Sequence, residues 1–172
     1  MITFTPLAES DHSHFAQQLF EEAFPEQERP PFSTIRQRDA GQFHFLVAEN
    51  GDEPVGILTY WTFEELIYVE HFAIAEELRN QGLGKAVFLN FLSQQTEQVV
   101  LEIELPNTEE ADHRMEFYAS MGFFRNPQPY TQPSYHHDGR TVPMIIMSKY
   151  ELDDDEFEEI RHLLYHKVYG VE

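Results

Sequence analysis

The amino-acid sequence predicts an α+β domain with one central, mostly antiparallel, twisted sheet of about six or seven strands and helices on both faces. Strand-length runs, several of them alternating between apolar and polar residues, recur along the chain. Between them lie segments with helical spacing of apolar residues, or with acidic residues at the start and glycine at the end. Strong turn signals, Asn50-Gly51 above all, join neighbouring strands as hairpins.

Residues 2–7 alternate as a strand, and Ser10 or Asp11 is placed to cap a helix running to about Phe24. Pro25, Pro30 and Pro31 then break the chain before a short helix from Ser33 to Asp39. Phe43–Ala48 and Pro54–Thr62 read as two strands joined at Asn50-Gly51. A turn near Phe63–Glu65 leads into Leu66–Ile74, rich in apolar and β-favouring residues. Gly82 and Gly84 mark the entry to a helix from about Leu83 to Gln95, with Leu83, Val87, Phe88, Phe91 and Leu92 at helical spacing. Val99–Leu105 is a strand with Leu101, Ile103 and Leu105 on one face and Glu102 and Glu104 on the other. Ala111–Met121 is a helix that Gly122 ends, and Phe123–Tyr130 and Val142–Ser148 are the closing strands. Asp153–Val168 is a helix with an acidic first turn and His162, His166 and Lys167 near its end, complementing the helix dipole. The expected organisation is one domain over residues 1–150 and an acidic appended helix over 151–172. That helix either docks on its own domain or serves a homodimer contact.

Composition narrows the function. With 41% hydrophobic and 14% aromatic residues in 172, the chain is long and apolar enough for one well-packed domain. It contains no cysteine, which removes disulfides, thiol nucleophiles and Cys-ligated zinc. The N-terminal MITFTPLAESDHSH lacks the basic and apolar regions of a signal peptide, and no apolar run approaches membrane-spanning length. A cytoplasmic protein is expected. The formal net charge of −20 argues against nucleic-acid and anionic-membrane partners and favours cationic ones such as amines. The plainer reading is that the charge only keeps the protein soluble.

The chemistry concentrates in LIYVEHFAIAEELRNQGLGKAVFLNFL, a strand, a glycine-containing turn and a helix. Small residues at 82 and 84 let a ligand approach the backbone, and the helix start offers unpaired N–H groups, a cradle for a phosphate or pyrophosphate. A Walker loop would need glycine where Arg79 stands and Ser or Thr where Ala86 stands. A dinucleotide fingerprint would need a small residue at Val87. What remains is Arg79-Asn80-Gln81-Gly82-Leu83-Gly84 between strand and helix.

With this motif, the strand Glu70-His71-Phe72-Ala73-Ile74 before it and Arg114-Met115-Glu116-Phe117-Tyr118-Ala119-Ser120-Met121-Gly122-Phe123 after it, the chain resembles the GNAT superfamily of acyl-CoA-dependent N-acyltransferases over roughly residues 2–148. It looks like a bacterial subgroup marked by LEIELP, RMEFYASMGF and YTQPSY. The resemblance implies acetyl-CoA as co-substrate, no metal, and direct transfer to an amine in a ternary complex. It implies that the backbone of Phe72, Ala73 and Ile74 pairs with the pantetheine arm. Arg79, Asn80, Gln81, Gly82, Leu83, Gly84 and Lys85 would form the pyrophosphate loop. Tyr118 would be the acid that protonates the departing thiolate. One departure is Ala111, where many relatives carry Asn.

Further roles are weighed against plainer ones. Glu70, on the strand beside the presumed thioester, is a candidate general base or water relay, and otherwise a solvated strand residue. In a regular strand His71 faces the other way, so only one of the two reaches a cleft, unless a bulge intervenes. Glu102 and Glu104 are candidates for an anionic wall facing a cationic acceptor. Arg114 is expected to pair with a carboxylate, and His136-His137-Asp138 reads as a surface loop. Phe24, Trp61, Tyr130 and Tyr135 are either acceptor-pocket walls or core. Two alternatives remain: an acyl-CoA sensor without turnover, and an acetyltransferase acting on protein N-termini or lysines.

Overall fold

The computed structural model describes residues 1–38 and 41–171, which fall into two compact units, Met1–Glu97 and Gln98–Glu172. The chain passes from one to the other through Ser93–Glu97, where Ser93, Gln94, Thr96 and Glu97 are exposed.

The first unit is a four-stranded antiparallel meander of β1 (Ile2–Pro6), β2 (Phe43–Asn50), β3 (Glu53–Phe63) and β4 (Leu66–Ile74). Helix α1 (Ser13–Ala23) and the single turn α2 (Phe32–Ile35) cover one face, and α3 (Leu83–Leu92) covers the other. On the first face Phe20, Phe32 and Phe45 form an aromatic triangle with ring centres 5.9–6.0 Å apart. On the second, Phe91 meets Phe4 and Tyr60, and Phe88 meets Phe72. Burying such rings removes 150–250 Å² each from water, which is where the unit's stability originates. Gly56 stands opposite Ile74, where a Cβ would lie 2.6 Å from the Ala73 carbonyl oxygen. Only glycine lets β3 and β4 close there.

Two boundaries differ from expectation. Helix α1 begins at Ser13 because the Ser10 hydroxyl accepts from the His12 N–H in a tight local turn instead of capping a helix. The expected helix end at Asp39 lies outside the described residues; α2 covers only Phe32–Ile35.

In the second unit β8 (Thr141–Ser148) runs antiparallel to β5 (Gln98–Glu104) on one side. On its other side it meets β6 (Phe124–Arg125) and β7 (Tyr130–Pro133). The expected continuous strand Phe123–Tyr130 is broken, since Pro127 and Pro129 cannot donate to a ladder. Asn126, 2% exposed, pins the break. Its Nδ2 donates to the Ile146 carbonyl and the Ser148 hydroxyl, and its Oδ1 accepts from the Leu152 N–H. With this split there are eight strands among the described residues.

Helix α4 (Glu109–Ala119) starts two residues earlier than expected because Thr108 caps it, accepting from the Ala111 N–H at 3.0 Å. Gly122, at φ +94°, follows its end. Helix α5 (Asp154–Leu163) opens on a reciprocal Asp153–Glu156 capping box and continues as one π-helical turn, Leu164–Val168.

Candidate active site

In the first unit, β4 ends at Ile74 and α3 begins at Leu83. Arg79 ties the intervening loop back to the strand, its Nε donating to the Ile74 carbonyl at 2.8 Å. Gln81 Nε2 reaches the Glu77 carbonyl at 3.4 Å. Asn80 and Gly82 both take the left-handed conformation, at φ +63° and +78°, and Gly82 is the N-cap of α3. Among the described residues no side chain caps this helix. The first helical bond runs from the Ala86 N–H to the Gly82 carbonyl, so the N–H groups of Leu83, Gly84 and Lys85 have no acceptor within the helix. Together with the positive helix pole, they form a site suited to an anion, with Lys85 exposed on its first turn. Upstream, Phe72, Ala73 and Ile74 pair with Leu58, Ile57 and Gly56 along one edge of β4.

The middle of β4 carries a bulge. Tyr60 pairs with Val69 and Thr59 with His71, leaving Glu70 as the inserted residue. The expected opposition of Glu70 and His71 is therefore corrected: both side chains lie on the α1 face. The His71 ring packs edge-on against Phe20 and Phe24, and its Nε2 bonds the Glu28 carbonyl at 3.0 Å. A carbonyl only accepts, so Nε2 carries the proton. Burial lowers the His71 pKa, against the opposing pull of Glu70 and the Glu28 bond, and keeps the ring neutral at physiological pH.

The Glu70 side chain is 0% exposed. It accepts from Arg38 Nη1 at 2.6 Å and from the Trp61 indole N–H at 2.7 Å. Burial alone would raise its pKa, but Arg38, His71 and these two bonds outweigh it, so the carboxyl titrates below its ordinary range. A carboxylate so held is a weak proton acceptor and a fixed negative charge. Arg38 escaped the sequence reading because nothing in local spacing links residue 38 to residue 70.

In the second unit Tyr118 lies near the end of α4, 8% exposed, its ring against Phe117 and Phe123. Burial, partly offset by Arg114, raises the hydroxyl pKa to about 12. The phenol thus stays protonated at physiological pH, as a proton donor requires. Glu102 is enclosed by donors: the Tyr130 and Tyr169 hydroxyls and Gln132 Nε2. Burial and the Glu102 charge both raise the Tyr130 pKa. Glu104 pairs with Arg114, and with side chains 45% and 47% exposed the two remain open to solvent. Of the two strand carboxylates, Glu104 is the accessible one. Asp138 accepts from the Arg140 N–H within its exposed loop.

A strand leading into an uncapped glycine turn and helix, and a later helix bearing a buried tyrosine, are the features on which the sequence resembles acyl-CoA-dependent acyltransferases. The acetyltransferase (GNAT) family profile matches residues 13–123, and the chain belongs to that family. A GNAT-family acetyltransferase structure from Bacteroides thetaiotaomicron is 36% identical, covers 99% of both chains and superposes with a TM-score of 0.92. Two more distant structures share the fold. Arabidopsis thaliana NAA60 in complex with a bisubstrate analogue has 16% identity and a TM-score of 0.62, over 88% of this chain and 98% of that one. An acyl-CoA N-acyltransferase from Pseudomonas aeruginosa has 20% identity and a TM-score of 0.58, over 87% and 99%. No curated protein matches the sequence. The chain is thus an acetyltransferase by family, with the GNAT fold. No helix among the described residues is long and apolar enough to cross a membrane.

Proposed function

We propose that this protein transfers the acetyl group of acetyl-CoA directly to an amine of a small cationic acceptor in the cytoplasm. The observation that carries the reading is the uncapped start of α3 with left-handed Gly82, which suits a pyrophosphate, immediately after the β4 residues Phe72–Ile74 assigned to the pantetheine arm.

The neutral amine nitrogen attacks the thioester carbonyl carbon, forming the C–N bond. As the C–S bond breaks, the thiolate takes a proton, in this reading from the Tyr118 hydroxyl. The nitrogen releases one proton to solvent and Tyr118 regains one from solvent, so the products are an N-acetyl amine and free coenzyme A. With no cysteine in the chain, an acyl-cysteine intermediate is not available and transfer is direct. The net charge of −20 supports a cationic acceptor by concentrating cations near the surface.

The test is thiol release from acetyl-CoA across a panel of monoamines, diamines, amino acids and N-terminal peptides. Turnover confined to small cationic amines is expected. Preference for a peptide N-terminus or a neutral amine would refute the acceptor class. Binding of acetyl-CoA without release to any acceptor would instead identify a sensor.

A further inference from the structure

Arg38 sits in a cage built to hold a cation. Its guanidinium carbon lies 4.8 Å from the centre of the Phe43 ring and 5.2 Å from that of Trp61, while Nη1 bonds the Glu70 carboxylate. Aromatic faces with a carboxylate are the chemistry by which proteins bind ammonium and guanidinium ligands. The host comes entirely from the sheet. Phe43 opens β2, faces Trp61 across the β2–β3 pairing, and Glu70 stands at the β4 bulge. Trp61 acts both as wall and as the donor that orients the carboxylate, and Phe63 stacks behind it at 6.0 Å and 10°. The guest comes from outside every strand, in a stretch, 29–38, with Arg29, Arg36 and Arg38 and no acid. With Arg38 in place, itself 14% exposed, none of the Glu70 side chain reaches solvent.

We propose that this cage is the subsite for a cationic group of the acceptor, and that Arg38 fills it as a self-ligand which the acceptor displaces. The inference rests on the acetyltransferase reading above, in which the pantetheine arm pairs at Phe72–Ile74, further along the same strand. It also narrows the acceptor. A group held between two rings and a carboxylate keeps its charge, whereas the attacking nitrogen must be neutral, so one amine cannot serve both ends. The acceptor therefore carries at least two basic groups, as an α,ω-diamine or a guanidino-amine does. One is bound as the cation and the other is acetylated. Arg38 lowers apparent acceptor affinity by the fraction of time that it occupies the cage.

Trp61 is the single tryptophan of the chain, so its emission reports the cage without interference. In Arg38→Ala, millimolar methylguanidinium should restore the wild-type Trp61 emission and thermal midpoint, whereas N-methylurea, its neutral counterpart, should not. The KM for a diamine should fall by about tenfold in this variant while that for a monoamine stays unchanged. If Arg38→Ala does not fold, titrating the wild-type protein with 1,4-diaminobutane, in the absence of acetyl-CoA, decides. A shift of Trp61 emission that butylamine does not produce supports the cage. Equal responses to methylguanidinium and N-methylurea, or to the diamine and the monoamine, overturn it. Cage binding without acetyl transfer would sink the catalytic reading alone. Acetylation of diamines with a KM indifferent to Arg38 would sink the cage alone.

Discussion

Burial raises the Tyr118 pKa to about 12, so any alkaline loss of activity between pH 8 and 10 should come from other groups. Tyr118→Phe keeps the ring contacts with Phe117 and Phe123 and removes only the hydroxyl. Turnover should fall on the order of 10²–10⁴-fold with little change in thermal midpoint. A drop below about threefold, with chemistry rate-limiting, would make the residue structural. Glu70 has the opposite character. Its folded pKa is depressed, so the stability that its charge contributes is in place above the ordinary glutamate value and is lost as pH falls through the lower folded value. Glu70→Gln removes the buried carboxylate from the Arg38 pair and should destabilise the protein by about 3–5 kcal/mol in denaturant unfolding at pH 7. The same change should flatten the acid side of the stability profile. Glu104→Gln breaks a half-exposed pair, a loss of about 0–1 kcal/mol, so any rise in the amine KM reports its charge directly. The place of Tyr118 on a helix closed by Gly122 was legible in the sequence because its neighbours form a contiguous motif. The partners of Glu70 and Glu102 were not: Arg38 and Tyr169 are 32 and 67 residues away from them, and only the folded chain brings them together.

Helix α3 and the loop before it answer to separable substitutions. Gly82 sits at φ +78°, so Gly82→Val adds backbone strain of about 1–3 kcal/mol to any effect on binding. Gly84 lies within the first turn of α3, and Gly84→Val is the cleaner probe. Calorimetry should show acetyl-CoA binding weakened at least about tenfold while the fold persists, since a side chain blocks close approach to the N–H groups. Unchanged affinity would remove the pyrophosphate from this loop. Elements announced by residues adjacent in sequence were the readable ones: the Asn50-Gly51 hairpin, the glycines entering α3, and Gly122 after α4. Helix α4 began earlier than expected since Thr108, rather than a residue nearer Ala111, supplies the cap; Thr108→Ala should cost about 1 kcal/mol by thermal unfolding. The β4 bulge and the interruption between β6 and β7 depend on cross-strand register and on the buried Asn126. Proline spacing hinted only at the second.

At the scale of the whole molecule, 31 acidic against 11 basic residues give a field that should act oppositely on the two substrates. Raising salt from about 0.05 to 0.5 M shortens the screening length to a few ångströms. The KM for a cationic acceptor should then rise, and that for the polyanionic acetyl-CoA should hold or fall. Steady-state kinetics across that range checks both signs, and parallel changes would refute field steering. Composition disclosed this field, but it gave no sign that the chain divides at Glu97, because no proline, glycine or low-complexity run marks the place. That crossing has a practical consequence. Ser93–Glu97 is exposed at every residue but the half-buried Gln95, lies outside helix and strand, and ends in a glutamate, yet contains no lysine or arginine. A glutamyl-specific protease should therefore make one of its earliest nicks after Glu97, releasing under denaturing conditions a fragment that begins at Gln98, while trypsin leaves the same stretch whole.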